Sequence, residues 1–523
     1  MRLSTPLRGH AIWLAILVAL ASWSYIAVWA ANTFVLSGFY VGRYAAWTLG
    51  FLALALGAAV ATRGFDRSRR SIHRPYAMGA STLLLFQSAF VFVALQEWLS
   101  IRLGGSASWA ITAVLAGAVL LLTFRVSATP SIRTVFAVLT VFLVAVPAFG
   151  VARWVLEDAF GRAPLPGSSA VPMLDAVETA PDVFVVVLDA YARSDVLEQQ
   201  FAFDNTRFES ALADLGVAVV PLAKSNYDAT QVSVASLLDA RYPAVGDSDD
   251  PSLWRLHTTY AGDNALFTSL RAAGHEIHLF DNAWTFTQCG PIVDHCYSTL
   301  LTEIDHVIAQ RTPLPLVMTS LLIDPWTRGS VDQLRQATDL ARTASDRPRL
   351  VFVHALIPHA PFQLNEVCQE YSDSRLDGYA FIDESPGHLE VRRTAYVAQL
   401  ECTNSLVIDL VAAIPADAII LITGDHGPKP TDVDPDRSIG TTPEQVLARF
   451  GTFTAYRFPE PCDSVPDGAS LVVTAASLFN CVGIPVTDEI ARTPDQAERY
   501  FMWEPADGEG RVTEVSSIVA RVP

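Results

Sequence analysis

The pattern of apolar and polar positions divides the chain in two. Up to residue 153, five apolar runs approach or exceed the length needed to cross a hydrocarbon core of ~30 Å at about 1.5 Å per helical residue. They are Ala11–Ala31, Ala45–Ala61, Met78–Leu99, Trp109–Phe124 and Val135–Phe149. Beyond them the pattern changes to short β-branched runs that end in polar residues. Asp182–Asp189, DVFVVVLD, is a continuous run of the kind found in strands buried on both faces. Leu350–Phe362 and Ala418–Pro430 predict two more strands. Positions 196–215, with Leu197, Phe201, Phe208, Leu212 and Leu215 near helical spacing, predict one helix. A second helix is expected to begin near Asp228 or Thr230 and to run into Leu237-Leu238, and Phe450–Pro459 and Leu471–Phe479 predict a late strand and helix. Strands interleaved with helices imply an α/β domain behind a multi-span helical membrane region. Between the two, Glu157–Pro181 contains GRAPLPGSSAVP and reads as a linker. The expected division is a transmembrane region 1–153, a linker 154–180 and an α/β domain 181–523.

Composition agrees with a split chain. A hydrophobic share of 51% and a positive mean hydropathy exceed those of an ordinary soluble domain, yet 54 acidic against 36 basic residues are too many for an all-membrane chain. Residues 1–153 hold twelve Arg, no Lys, and only Asp66 and Glu97 as acids, a balance of +10, so the remainder carries −28 of the −18 total. Arg2 and Arg8 precede the first apolar run, Arg63, Arg67, Arg69, Arg70 and Arg74 separate the second and third, and Arg125 and Arg133 separate the fourth and fifth. These clusters fall on one side, which the positive-inside rule assigns to the cytoplasm, with only Arg43, Arg102 and Arg153 opposite. The N-terminus is then cytoplasmic. Five spans of an inner or plasma membrane put the α/β domain outside, in the periplasm or extracellular space. All six cysteines, Cys289, Cys296, Cys368, Cys402, Cys462 and Cys481, lie in that outer part, which suits disulfides in an oxidising compartment. The pairing favoured is 289 with 296 and 462 with 481, leaving 368 with 402. No CxxC marks a zinc cluster. The strong negative charge and the lack of a basic patch argue against nucleic acid as a partner.

Chemistry-bearing residues sit where the predicted strands end. Gly424-Asp425-His426-Gly427 follows an apolar run, and Asp beside His suits a divalent cation at the carboxyl edge of an open α/β sheet. Asp189 closes the first strand, where the plain alternative is a helix cap. Thr230 lies in the expected first turn of a helix, where unpaired N–H groups and the dipole favour a nucleophilic oxygen and a phosphate; its plain alternative is an N-cap. His359, in a turn with Pro358 and Pro361, is placed to give a proton or hydrogen bond, while His354 reads as core or supporting. Lys224, Asn226, Ser233, Lys429 and Arg437 are candidates for holding anionic oxygens. The acidic loop Asp432–Gly440 lacks the Gly and terminal Glu spacing of an EF-hand.

The order of strand-end Asp189, helix-start Thr230, the PHAPF turn with His359, and GDHG with Asp425 and His426 resembles the sulfatase-like branch of the alkaline phosphatase superfamily. It is most similar to membrane-anchored enzymes of the lipoteichoic acid synthase and phosphoethanolamine transferase type. The resemblance covers roughly residues 181–460. It implies a three-layer fold with a mainly parallel central sheet. One divalent metal would be held by Asp189, Thr230, Asp425 and His426, with zinc or manganese expected and magnesium or calcium the alternatives. Thr230 would be the nucleophile and His359 would contact the transferred group. The implied activity is transfer of a phosphoglycerol or phosphoethanolamine headgroup, through a phosphothreonine, from a membrane lipid to an envelope acceptor such as a glycan. The alternatives are hydrolysis of phosphate or sulfate esters at the same site, and a non-catalytic binding module. One departure is specific: Ala229-Thr230-Gln231-Val232-Ser233 lacks the Cys or Ser followed by x-Pro-Ser-Arg that sulfatases convert to formylglycine.

Overall fold

The computed structural model describes residues 5–31, 41–65, 72–87, 105–126, 131–143, 180–242, 253–282, 284, 287, 289–299, 302–312, 314, 325–370, 386–428, 443–486, 499–506 and 509–519. The chain forms two compact units, Met1–Leu165 with Ile304–Leu322, and Pro166–Glu303 with Ile323–Pro523.

In the first unit each expected apolar run overlaps a helix: Thr5–Ala31, Val41–Phe65, His73–Gln87, Gly105–Val126 and Ser131–Leu143. Two stretches among the described residues, Gly9–Ala27 and Arg43–Gly64, are long and apolar enough to cross a membrane. Residues 88–99 and 144–149, which complete the third and fifth expected runs, lie outside the described residues. Backbones approach closely here. A Cβ on Gly79 would lie 2.5 Å from the carbonyl oxygen of Ala55, the small-residue contact that lets apolar helices pack. The helix Glu303–Gln310 adds Ile304 and Ile308 to a core of Trp13, Leu17, Leu20, Phe51 and Leu83. Its Asp305 accepts from Trp47 Nε1 at 2.8 Å and pairs with the Arg43 guanidinium.

The second unit is built on seven strands: β1 Val183–Leu188, β2 Ala218–Val219, β3 Glu276–Phe280, β4 His295–Tyr297, β5 Arg349–Ala355, β6 Ile419–Gly424 and β7 Thr454–Arg457. Their spatial order is β2-β7-β6-β1-β5-β3-β4, with β7 alone running against the other six. This is the expected α/β, mainly parallel sheet. Alternate residues of the central strands bury on opposite faces. Phe184, Val186, Leu188, Val351 and Val353 share a core with Leu334, Leu400 and Leu410 of helices Pro325–Ala341 and Pro386–Ala413. Phe352 points the other way, its ring 5.6 Å from Phe267 of helix Ala265–Ala272. Helices therefore cover both faces in three layers. A separate hairpin pairs β8 Phe501–Ala506 with β9 Glu509–Glu514.

The single helix expected over 196–215 is two, Ser194–Phe201 and Thr206–Asp214. Ala202 turns left-handed (φ 51°) and Phe203 N–H reaches back to Leu197 O, ending the first. Asp204 Oδ1 then accepts from the Thr206 N–H and hydroxyl at the start of the second, so local capping overrides the apolar spacing. The disulfides are Cys289–Cys296, Cys368–Cys402 and Cys462–Cys481, the pairing favoured from sequence.

At the amino end of the sheet, Asp182 ties β1 to β5. Its Oδ1 accepts the Arg349 N–H at 2.8 Å, and Oδ2 accepts Nε at 3.0 Å and Nη2 at 2.5 Å. Arg349 is 3% exposed, so Asp182→Ala leaves a buried guanidinium without its carboxylate. The expected loss is about 3 kcal/mol or more, measured as a lower denaturation midpoint, with Asp182→Asn intermediate.

Candidate metal centre at the strand ends

Register decides where the chemistry collects. Leu188 of β1 lies level with Ala355 of β5 and Gly424 of β6, so three parallel strands end flush. Asp189 follows β1 and Asp425 follows β6, which brings two carboxylates to one edge. The turns there are tight. Ala190 is left-handed (φ 58°), and its N–H donates to Asp425 Oδ1 at 3.0 Å. A Cβ on Gly424 would meet Tyr191 O at 2.5 Å, and one on Gly427 would meet Ala448 O at 1.8 Å. Only glycine fits at either place. His426 N–H also donates to Asp425 Oδ1, at 2.8 Å.

Thr230 is the first residue of helix Thr230–Asp239, preceded by extended Ala229 with no side-chain cap. It is not a capping residue: its hydroxyl lies 3.0 Å from His426 Nε2, and its carbonyl accepts the Tyr260 hydroxyl at 2.7 Å. Asp189 is likewise no cap, since Arg193 occupies that position before helix Ser194–Phe201. His426 Nε2 stands 3.6 Å from Asp189 Oδ1 and 3.6 Å from Asp425 Oδ2. Both of those oxygens are buried with no hydrogen-bond partner. Tetrahedral bonds of about 2.0–2.2 Å place ligand atoms roughly 3.3–3.6 Å apart, so a small divalent cation fits among them. The four residues expected to hold the metal do converge.

Electrostatics point the same way. Burial pushes Asp189 to about 7, opposed by Arg449, and pushes Asp425 to about 7 with a further contribution from the Asp189 charge. Burial, then Arg449, holds His426 well below its usual range, so the ring is neutral. Its Nδ1 lies 3.0 Å from Gly427 O; a proton there leaves Nε2 as the basic nitrogen facing the carboxylates.

His359 reaches the same edge, its ring 6.2 Å from that of His426. Its Nδ1 lies 2.6 Å from Ala360 O, which fixes a proton on Nδ1 and leaves Nε2 as the nitrogen free for proton exchange, while its own carbonyl accepts Gln399 Nε2 at 2.7 Å. His354 is fully buried on β5, as its apolar surroundings led one to expect. Asn226 and Ser233 are not brought to the cluster. The Asn226 amide donates to Arg499 O at 2.9 Å and accepts from Val472 N–H at 2.8 Å, and Ser233 bonds Ser225 Oγ and Tyr227 O. They brace the loop before the helix. Lys224 holds that loop through backbone bridges to Gly451 and Ser470. Lys429, Arg437 and the 432–440 loop lie outside the described residues.

Sequence reasoning missed Arg449. Its buried guanidinium donates to Gly427 O at 2.6 Å and to Asp228 O, clamping the GDHG turn to the residues before Thr230. The sole signal was a lone Arg in the short amphipathic helix Pro443–Phe450. Tyr260, on the backbone of Thr230, was also missed.

A family model for sulfatases matches residues 181–449, from the first central strand to Arg449. The chain belongs to the sulfatase family. It is an enzyme of the sulfatase-like type. Among solved structures, this sulfatase-family chain is similar to the C-terminal periplasmic domain of EcEptC from Escherichia coli in complex with Zn, with 13% identity, 68% of this chain and 96% of that one covered, and a TM-score of 0.43. It is also similar to BT1596, a 2-O GAG sulfatase (12%, 62% and 78%, 0.41), and to a putative sulfatase from Bacteroides thetaiotaomicron (11%, 62% and 78%, 0.39). No curated protein matches the chain in sequence.

Binding a cation here must displace protons from Asp189 and Asp425. The apparent Kd for Zn²⁺ is therefore expected to tighten by about ten- to a hundredfold per pH unit from 5 towards 7, then level off. Because both carboxyls are raised above their unfolded values, the metal-free protein loses stability as pH rises from about 4 to 7. Calorimetric titration and thermal unfolding with and without chelator check both statements.

Proposed function

We propose that this enzyme is a membrane-anchored, metal-dependent transferase. It moves a phospho-headgroup of the phosphoglycerol or phosphoethanolamine type, through a phosphothreonine at Thr230, to an acceptor of the cell envelope. The observation that carries this reading is the Thr230 hydroxyl, set in the first turn of its helix 3.0 Å from His426 Nε2 and beside two orphaned carboxylate oxygens.

Asp189, Asp425, His426 and Thr230 would hold one divalent ion, zinc or manganese by the mixed oxygen and nitrogen donors, or magnesium or calcium. When bound, it supplies the positive charge that lowers the pKa of the Thr230 hydroxyl and offsets charge on a phosphoryl group. Thr230 Oγ1 attacks the phosphorus of a phosphodiester. The proton of Thr230 Oγ1 passes to His359 as the Thr–O–P bond forms, the bond from phosphorus to the glycerol oxygen breaks, and the departing oxygen takes that proton back from His359. The helix N-terminus offers unpaired N–H groups to the phosphoryl oxygens. In the second half, an acceptor hydroxyl gives its proton to His359 and displaces Thr230 from phosphorus.

The anchor and compartment support a lipid donor. Gly9–Ala27 and Arg43–Gly64 are of spanning length, the arginine clusters favour a multi-pass arrangement with a cytoplasmic N-terminus, and three disulfides suit an oxidising, extracytoplasmic space. A headgroup in the outer leaflet, with a glycan or lipid acceptor, follows from that placement. The −28 charge of residues 154–523 disfavours nucleic acid.

The test uses the full chain in detergent with Zn²⁺ or Mn²⁺ and either phosphatidylethanolamine or phosphatidylglycerol. The expected result is release of diacylglycerol and a headgroup-phosphate adduct mapped to Thr230. Thr230→Ala is expected to abolish the adduct and lower turnover at least ~10³-fold, while Thr230→Ser keeps the adduct. Release of free headgroup phosphate to water at full rate, unaffected by added acceptor, would make the enzyme a hydrolase instead. Unchanged turnover in Thr230→Ala would defeat both forms.

A further inference from the structure

A second group of ligand-type side chains lies at the other end of the sheet. His278 of β3 and His295 of β4 are direct partners in the parallel register, and their rings stack 4.4 Å apart at 19°. Glu276 precedes His278 by two residues and so shares its face of the strand. Glu276 Oε2 lies 3.9 Å from His278 Nε2 and 3.7 Å from His295 Nε2, and one donor atom from each residue falls within 4.8 Å of the others. His278 is level with Phe184 through the β5 register, five residues short of Asp189. At about 3.3 Å per residue this is roughly 16 Å along the strands from the catalytic edge.

We infer that Glu276, His278 and His295 form a second divalent-cation site, of the zinc class, that staples β4 to the sheet. Stacking alone would put two imidazoles side by side. It does not account for the polar arrangement around them. His278 is 4% exposed, yet its Nε2 is buried with no hydrogen-bond partner and faces the Glu276 carboxylate and the His295 ring. Leaving such an atom unsatisfied is destabilising; a cation removes that penalty. The outer partners are set for ligation. Tyr297 Oη lies 2.9 Å from His278 Nδ1 and can accept its proton, the tautomer that puts the lone pair on Nε2. Arg347 Nη1 occupies Glu276 Oε1 at 3.2 Å, leaving Oε2 to point at the two rings. The disulfide Cys289–Cys296 holds the residue next to His295, and Arg271 pairs with Asp294 on its other side. Two imidazole nitrogens and one carboxylate oxygen are a zinc-type set, and His295, 50% exposed at its side chain, leaves the fourth position to water. Bonds of about 2.0–2.2 Å require the Glu276 contacts of 3.9 and 3.7 Å to close by a few tenths of an ångström and the two stacked rings to tilt towards one another. The beneficiary is β4, an edge strand of three residues.

The experiment titrates the full-length protein in detergent with Zn²⁺ against a chromophoric chelator, alongside thermal unfolding. Wild type is expected to bind two equivalents. Asp425→Asn, which breaks the catalytic centre, should retain one, and its thermal midpoint should still rise with Zn²⁺. His295→Gln, at an exposed position that tolerates the change, should lose one equivalent or weaken it at least tenfold while keeping turnover within about twofold; Glu276→Gln should do the same. The combination Asp425→Asn with His295→Gln should bind none. An unchanged stoichiometry in both His295→Gln and Glu276→Gln would overturn the inference. So would complete loss of Zn²⁺ binding in Asp425→Asn, or binding that persists in the combined variant.

Discussion

Two carboxylates that end neighbouring parallel strands, each with an oxygen buried and unpaired, set the terms for everything around them. The register of β1, β5 and β6 makes their meeting unavoidable, because Leu188, Ala355 and Gly424 stop level with one another. Burial alone would keep both acids protonated near neutrality, and the Arg449 guanidinium offsets only part of that. A divalent cation is the group that makes two ionised carboxylates stable in such a place. The neutral His426, the first-turn hydroxyl of Thr230 and the clamp of Arg449 on Gly427 and Asp228 then form one assembly around the two carboxylates.

Rigidity there comes from backbone, not from loops. Gly424 and Gly427 let turns pass where any side chain would collide with Tyr191 or Ala448. Gln399, on the long helix Pro386–Ala413, holds the His359 carbonyl and accepts the Gln363 N–H, so the histidine turn is fixed from the helical layer. The disulfide Cys368–Cys402 ties the chain beyond that turn to the same helix.

Much of this was legible because the strands are extreme in composition. DVFVVVLD and AIILITGDHG announce buried strands ending in acid, and the register of a parallel sheet does the rest. The family likeness supplied the pairing of Thr230 with them. What stayed hidden depends on contacts distant in sequence. Arg449 lies 22 residues beyond Gly427 in a helix whose amphipathic pattern says only that one side is buried. Asn226 and Ser233 looked available because polar residues near a nucleophile suggest substrate; nothing local says that Val472, Arg499 and Tyr227 consume their hydrogen bonds. The break between the helices at Ala202 follows from capping by Asp204, which competes with periodicity and here prevails. β3 and β4 escaped notice because short strands with histidines lack a continuous apolar run.

The grouping of Ile304–Leu322 with the N-terminal helices means the two units are interleaved along the chain, not laid end to end. No single cut separates them. A fragment starting after residue 165 would carry Ile304 and Ile308 without the core of Trp13, Leu17 and Phe51 that covers them, and Asp305 without Arg43 and Trp47. Such a fragment is a catalytic unit with an adhesive flap. Separating the two units therefore means redesigning that inserted segment as well as removing the N-terminal helices.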